Sequence, residues 1–213
     1  MIRLVLADDH AILREGLKQI LLTQRDIEIV AEAQDGHEVL KRVRELDFDL
    51  LVLDMSMPGK SGVELIKQVK AERPKLRILV LTMHEEHQYA VRAIRAGASG
   101  YLTKESASAQ LVSALRKVAA GGAYISAEVA EQLALNAMPG AKGAPHEALS
   151  DREFQVFRLI AEGKSVSDIA ERLNLSVKTV STHKANLMQK MGVATTGEII
   201  RYALAHKLVE NSG

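Results

Sequence analysis

The chain has 213 residues, 47% hydrophobic and 26% charged, which is enough apolar material to bury a core in one or two globular domains. It contains no cysteine, so a disulfide framework and a thiolate metal site are excluded, and a reducing compartment, the cytoplasm by default, is expected. The net charge of +1 conceals an uneven distribution: residues 149–213 carry nine basic and seven acidic side chains, so only the C-terminal part leans basic.

Up to about residue 120 the chain alternates strand with helix. Continuous apolar runs at 2–7 (IRLVLA), 27–33 (IEIVAEA), 49–54 (DLLVLD), 76–82 (LRILVLT) and 99–103 (SGYLT) read as strands buried on both faces, as a parallel sheet requires. Between and after them lie helical patterns such as AILREGLKQILL, VELIKQVKAERP, stopped by Pro74, and LVSALRKVAAGG, stopped by Gly121 and Gly122. The expected fold is α/β, a doubly wound five-stranded parallel sheet in the order 2-1-3-4-5. Residues 1–120 form this first domain. Residues 121–147 read as a linker with one short helix, roughly Ala127 to Asn136, and then a Pro/Gly/Ala stretch. Residues 148–213 hold only helices, the first opened by the capping box Ser150-Asp-Arg-Glu153 and closed by Gly163. Ser165 and Ser176 are positioned to cap the next two, and Gly192 to end the third. No run has the pattern of a signal peptide or the length of a membrane span.

In an open α/β sheet the functional crevice lies beyond the carboxyl ends of the strands, where strand order reverses. Here those ends carry Asp8-Asp9, Asp54, Thr82 and Thr103-Lys104. Three carboxylates brought together repel one another unless a cation neutralises them, and a few oxygen ligands suit Mg²⁺ (or Mn²⁺), an ion that also binds phosphate. A carboxylate can then accept a phosphoryl group while a lysine ammonium stabilises the transferring oxygens. Asp54 is the natural acceptor and Lys104 the counter-charge. Taken singly, each residue has a plainer reading: Asp8 and Asp9 as helix caps, Lys104 as a solvated loop lysine, Tyr101 as core. His10 and the methionines read as structural.

Together, Asp8-Asp9 after the first strand, LDMSMPGKSG around Asp54, LTMH at Thr82 and GYLTKE at Lys104 resemble the receiver domain of bacterial response regulators over residues 1–120. The resemblance implies that Asp54 is phosphorylated by a sensor histidine kinase. It makes Asp9, Asp54 and the Ser56 carbonyl metal ligands, with Asp8 beside them. Thr82 would hold the phosphoryl group and Tyr101 would be a rotating switch ring. Ser56 and His84 occupy positions that vary in such domains and tune phosphoryl lifetime.

The segment LSDREFQVFRLIAEGKSVSDIAERLNLSVKTVSTHKANLMQKMG resembles the LuxR-type helix-turn-helix, and the two modules together resemble the NarL/FixJ class of transcription factors. On a helical wheel of roughly 100° per residue, Val177, Val180, Leu187, Met188 and Met191 share an expected core arc. Lys178, Ser181, Thr182, Ala185 and Gln189 share another. The family's DNA-contacting positions fall at Lys178, Ser181, Thr182 and Ala185, the same face. Many relatives have lysine at Ser181 and arginine at Thr196, so fewer fixed charges reach DNA and dimerisation gains importance. His183 reads as structural, and Lys184 as a side chain that reaches towards phosphate or solvent.

The implied protein is a regulator rather than an enzyme, limited catalytically to its own phosphorylation and slow dephosphorylation. Its implied partners are a histidine kinase, promoter half-sites in double-stranded DNA and, when phosphorylated, a second copy. A phosphohydrolase of the haloacid dehalogenase type would need an acid where Ser56 stands. A flavodoxin-like binder would need an anion loop in place of Asp8-Asp9. The remaining alternative is a phosphorylation-independent DNA-binding regulator with a receiver-like dimerisation domain.

Overall fold

The computed structural model describes residues 1–57, 62–83, 87–136, 144–206 and 208–209. Its strands β1 (Ile2–Ala7), β2 (Ile27–Ala33), β3 (Leu50–Asp54), β4 (Arg77–Thr82) and β5 (Gly100–Thr103) form a parallel sheet in the order β2-β1-β3-β4-β5. Around it lie α1 (Ala11–Leu22), α2 (Gly36–Glu45), α3 (Gly62–Glu72), α4 (His87–Arg95) and α5 (Lys104–Ala119). Alternate strand residues feed two separate cores, which is why the strands read as unbroken apolar runs. Val5, Leu51, Leu53, Ile78 and Val80 pack with Val39, Leu65, Ile66 and Val69 of α2 and α3. Leu4, Leu6, Leu50, Val52 and Leu79 pack with Leu17, Leu21, Leu111 and Leu115 of α1 and α5.

The sheet order aligns the strand ends that matter. Ala7 pairs with Leu53, Asp54 with Leu81 and Thr82 with Thr103, so Asp8, Asp54, Thr82 and Lys104 emerge at one edge of the sheet. After α5 the chain returns across β5. Tyr124 accepts from the Tyr101 N–H at 2.8 Å, and a Cβ at Gly100 would lie 2.9 Å from Leu79 Cδ1 and 3.1 Å from the Tyr124 oxygen. Only glycine permits that approach.

The chain divides into two compact units, Met1–Leu135 and Asn136–Gly213. The short helix placed in the linker by the sequence, α6 (Ala127–Asn136), packs on the first unit: Val129 is buried against Ala90 and Val91 of α4, with Tyr101, Ile125 and Leu133 around it. Its apolar residues Val129 and Leu133 stand four apart and make one face. The Pro/Gly-containing residues 137–143 lie outside the described residues.

In the second unit a 3-10 turn, Pro145–Ala148, precedes α7 (Asp151–Ala161), α8 (Val166–Arg172), α9 (Val177–Met191) and α10 (Thr196–Ala205). Ser150 and Glu153 form a reciprocal capping box on α7, Ser165 and Asp168 do so on α8, and Ser176 caps α9. Phe154, Phe157, Ile169, Val180, Leu187 and Ile199 are buried in its core. Gly192 ends α9 at φ 68°, a left-handed conformation in which glycine carries no Cβ penalty. In its box Glu153 accepts from the Ser150 N–H, and it accepts once more from Lys190 of α9, at 2.7 Å each, so one buried carboxylate ties α7 to α9. Among the described residues no helix is long and apolar enough to cross a membrane.

Candidate functional site

At the β1 and β3 ends, Asp8, Asp9, His10 and Asp54 offer ligand atoms that all lie within 4.8 Å of one another. Asp8 and Asp54 are fully buried, each with 0% exposure. Between them sits the Lys104 ammonium, 2.8 Å from Asp54 Oδ2 and 2.8 Å from Asp8 Oδ2. Lys104 is the first residue of α5, where the helix dipole disfavours a cation, and the two carboxylates supply the offset. The other Asp54 oxygen, Oδ1, accepts from the Ser56 N–H at 3.1 Å.

Burial pushes the Asp54 carboxyl above the usual carboxylate range and repulsion from Asp8 adds to this, while Lys104 and the Ser56 N–H pull the other way. Burial also opposes the Lys104 ammonium, but Asp54 and Asp8 outweigh it and raise the ammonium's pKa. The site therefore sets one lysine between two buried carboxyl groups, with Asp9 beside them. Asp8 Oδ2 is buried with the Lys104 ammonium at 2.8 Å, so the two buried carboxyl groups share one ammonium. An oxygen-rich cluster with unspent acceptor capacity fits a hard divalent cation such as Mg²⁺.

The plainer reading of Asp8 as a helix cap does not hold: α1 has no side-chain cap, and Asp8 Oδ1 accepts instead from the His10 N–H at 2.8 Å. His10, read as structural, lies beside these acids: its Nδ1 stands 2.9 Å from Asp9 Oδ1 and 3.9 Å from Asp54 Oδ2 on a ring that is 60% exposed. Its place three residues beyond the end of β1 was the available signal. Arg14 was also missed. It is buried, donates to the Asp8 carbonyl at 2.7 Å and to Glu32 at 2.8 Å, and so fixes the backbone that carries Asp8. Its signal was an arginine in register with Leu17 and Leu21 on the inner face of α1.

Thr82 is fully buried at the end of β4. Tyr101, one strand over, is half-buried and touches both the core beneath α2 and α3 and the cluster formed by Ala90, Val91 and Val129. His84 and residues 58–61 of the loop after Asp54 lie outside the described residues.

In the second unit, Lys178, Ser181, Thr182, Ala185 and Gln189 of α9 are all exposed, while Val180, Leu187 and Met191 are buried. Val177 departs from the expected core arc and is 52% exposed. As the first residue of α9 its side chain leans back over the turn before the helix, where no core reaches it. His183 and Lys184 are half-buried, and Lys184 donates to Thr196 Oγ1 at 2.9 Å. Short polar, basic and methyl groups thus form one continuous outward face on a helix that follows a tight helix-turn, with Asn174 at φ 52° in the turn.

Residues 4–116 match the family described as response regulator receiver domain, and residues 147–203 match the bacterial regulatory proteins of the luxR family. The chain is 35% identical to response regulator GacA of Pseudomonas viridiflava, covering all of both chains. It is 36% identical to response regulator UvrY of Escherichia coli strain K12, over 98% of this chain and 96% of that one. It is 38% identical to oxygen regulatory protein NreC of Staphylococcus epidermidis, over 98% and 99%. Among solved structures it resembles RcsB of Salmonella enterica serovar Typhimurium bound to promoter P1flhDC in the presence of phosphomimetic BeF3-, with TM-score 0.63 and 32% identity over 94% of this chain and 97% of that one. A structure of two RcsB dimers bound to two parallel DNAs is similar at TM-score 0.58 and 30% identity, over 96% and 98%. The chain belongs to the NarL/FixJ family of two-component response regulators, a receiver domain joined to a LuxR-type DNA-binding domain.

Proposed function

We propose that this regulator is switched by phosphorylation of Asp54 by a partner histidine kinase, and that the phosphorylated form dimerises and binds promoter half-sites through α9. In domain terms, residues 1–120 are the receiver, 121–147 the connection and 148–213 the DNA-binding domain. The observation that carries the reading is the Lys104 ammonium held between Asp54 and Asp8 at 2.8 Å in an otherwise acidic pocket. A structural ion pair would need one acid. Here two buried carboxylates converge on one lysine, with Asp9 at their side, an arrangement suited to receiving more charge.

In this mechanism an Asp54 carboxylate oxygen attacks phosphorus in line as the bond from phosphorus to the donor nitrogen breaks. Lys104 moves its hydrogen bond from the carboxylate to a phosphoryl oxygen and ties the group to α5. Asp8, Asp9, Asp54 and the Ser56 carbonyl would hold Mg²⁺ or Mn²⁺, which when bound neutralises charge on the transferring oxygens. The Thr82 hydroxyl turns towards the phosphoryl group, and the volume it leaves admits the Tyr101 ring. Because Tyr101 also packs against the Val129 cluster, that motion loosens α6 on α4. Lys178, Ser181, Thr182 and Ala185 face the major groove.

The solved RcsB complexes with DNA and with a phosphomimetic support the reading for a relative of this length. Intact mass after incubation with acetyl phosphate and Mg²⁺ tests it: one phosphoryl group is expected on the native chain and none on Asp54→Asn. Label on Asp8 or Asp9 in the native protein would overturn the assignment. Phosphorylation that leaves DNA affinity unchanged would favour the phosphorylation-independent regulator.

A further inference from the structure

The outward face of α9 has a hydrogen-bond polarity that its residue names alone do not reveal. Ser181 Oγ donates to the Val177 carbonyl at 2.9 Å, and Thr182 Oγ1 donates to the Lys178 carbonyl at 3.0 Å. A carbonyl can only accept, so in both contacts the hydroxyl proton is committed to the helix backbone. Each hydroxyl has one proton and two lone pairs. What these two exposed side chains still offer a partner is acceptance.

The major-groove edges differ in this respect. Guanine presents acceptors at N7 and O6, thymine an acceptor and a methyl group, adenine an acceptor at N7 and a donor at N6, and cytosine a donor at N4. An oxygen limited to acceptance can bond only the exocyclic amino groups of adenine and cytosine. To meet a guanine or thymine edge, the hydroxyl would have to leave its backbone carbonyl. Lys178 and Ala185 complete the pattern without competing for those amines: the Lys178 ammonium is a donor only and suits guanine, thymine O4 or phosphate, and the Ala185 methyl suits a thymine methyl, while Gln189, whose amide both donates and accepts, lies about two turns beyond Thr182.

We infer that Ser181 and Thr182 read the operator as hydrogen-bond acceptors, selecting exocyclic amino groups of adenine or cytosine at the positions they meet. The inference rests on the reading of α9 as the groove-entering helix. It sets the sign of the contact, which that reading leaves open.

The test uses the full-length phosphorylated chain and an operator selected from a randomised duplex library. Each adenine is replaced in turn by purine, which lacks the N6 amine, or by 7-deazaadenine, which lacks the N7 acceptor. Each cytosine is replaced by pyrimidin-2-one, which lacks the N4 amine. Binding is measured for wild type, Ser181→Ala and Thr182→Val. At one or two positions per half-site, amine deletion is expected to weaken wild-type binding about three- to tenfold, the range of one hydrogen bond. The matching variant is expected to be insensitive there, and 7-deaza replacement to have no effect. If the variants change sequence preference but no amine deletion is silenced by either one, the polarity is wrong while the reading face stands. If 7-deaza replacement, not amine deletion, is what the variants silence, the hydroxyls donate and the inference is overturned. If wild type and variants share one sequence preference, the reading face itself fails and the inference falls with it.

Discussion

Lys104 Nζ stands 2.8 Å from Asp54 Oδ2 although fifty residues separate them, and both side chains are almost wholly withdrawn from solvent. The pair joins the end of β3 to the start of α5 across the end of β4. The same ammonium stands 2.8 Å from Asp8 Oδ2, so one lysine serves both buried acids.

Removing the lysine should therefore be felt in two ways. Lys104→Ala leaves two buried acids uncompensated and should cost on the order of 3 kcal/mol of stability without metal, with millimolar Mg²⁺ restoring part of it. Thermal melts with and without Mg²⁺ check this. The variant should still take label from acetyl phosphate, more slowly, but show no gain in DNA affinity on labelling.

Metal binding should weaken with acid. The folded-state pKa of Asp54 is raised by burial, so without metal its contribution to stability is present below the ordinary carboxylate range and is lost as pH rises through the raised value. A divalent cation requires the deprotonated form and reverses that trend. Calorimetric titration with Mg²⁺ should show affinity falling as pH is lowered through the raised pKa, with proton release on binding. Asp54→Asn should bind more weakly and lose the Asp54-linked part of the pH dependence.

The contact of α6 with α4 makes a prediction about resting state. Val129→Asp should detach α6 from Ala90 and Val91 and free the surface around Tyr101. The unphosphorylated variant should then dimerise more readily than wild type in sedimentation. Thr82→Ala should do the opposite to the coupling, taking label without a change in assembly.

Glu153 supplies a separate pH signature in the second unit. Burial works to raise its pKa, but hydrogen bonds from Lys190 and Ser150 prevail and hold it below the usual range. A depressed carboxylate contributes stability above its unfolded pKa, and that contribution is lost as pH falls through the folded value. Glu153→Gln should lower stability at neutral pH by about 1–2 kcal/mol and flatten the acid limb of the melting curve of the unit.

The sheet was legible because its signal is one-dimensional: a strand buried on both faces must be apolar throughout, and Leu50 to Leu53 are. Asp54 stood out because it interrupts that rule at a strand end. His10 and Arg14 were harder to read because their roles depend on distance across elements, His10 reaching Asp9 and Arg14 reaching the Asp8 carbonyl. A wheel placed Val177 inside since periodicity takes no account of a helix beginning there. It separated the exposed Ser181 and Thr182 from the buried Val180 and Leu187, yet it is silent on where a hydroxyl proton points.

The most direct test of the account is the affinity of the full-length protein for its selected operator before and after phosphorylation, at one fixed salt concentration. Wild type should bind at least tenfold more tightly once phosphorylated, and Asp54→Asn should bind weakly under both conditions. Equal wild-type affinity in the two states, or tightening of Asp54→Asn by the phosphodonor, would contradict a switch centred on Asp54.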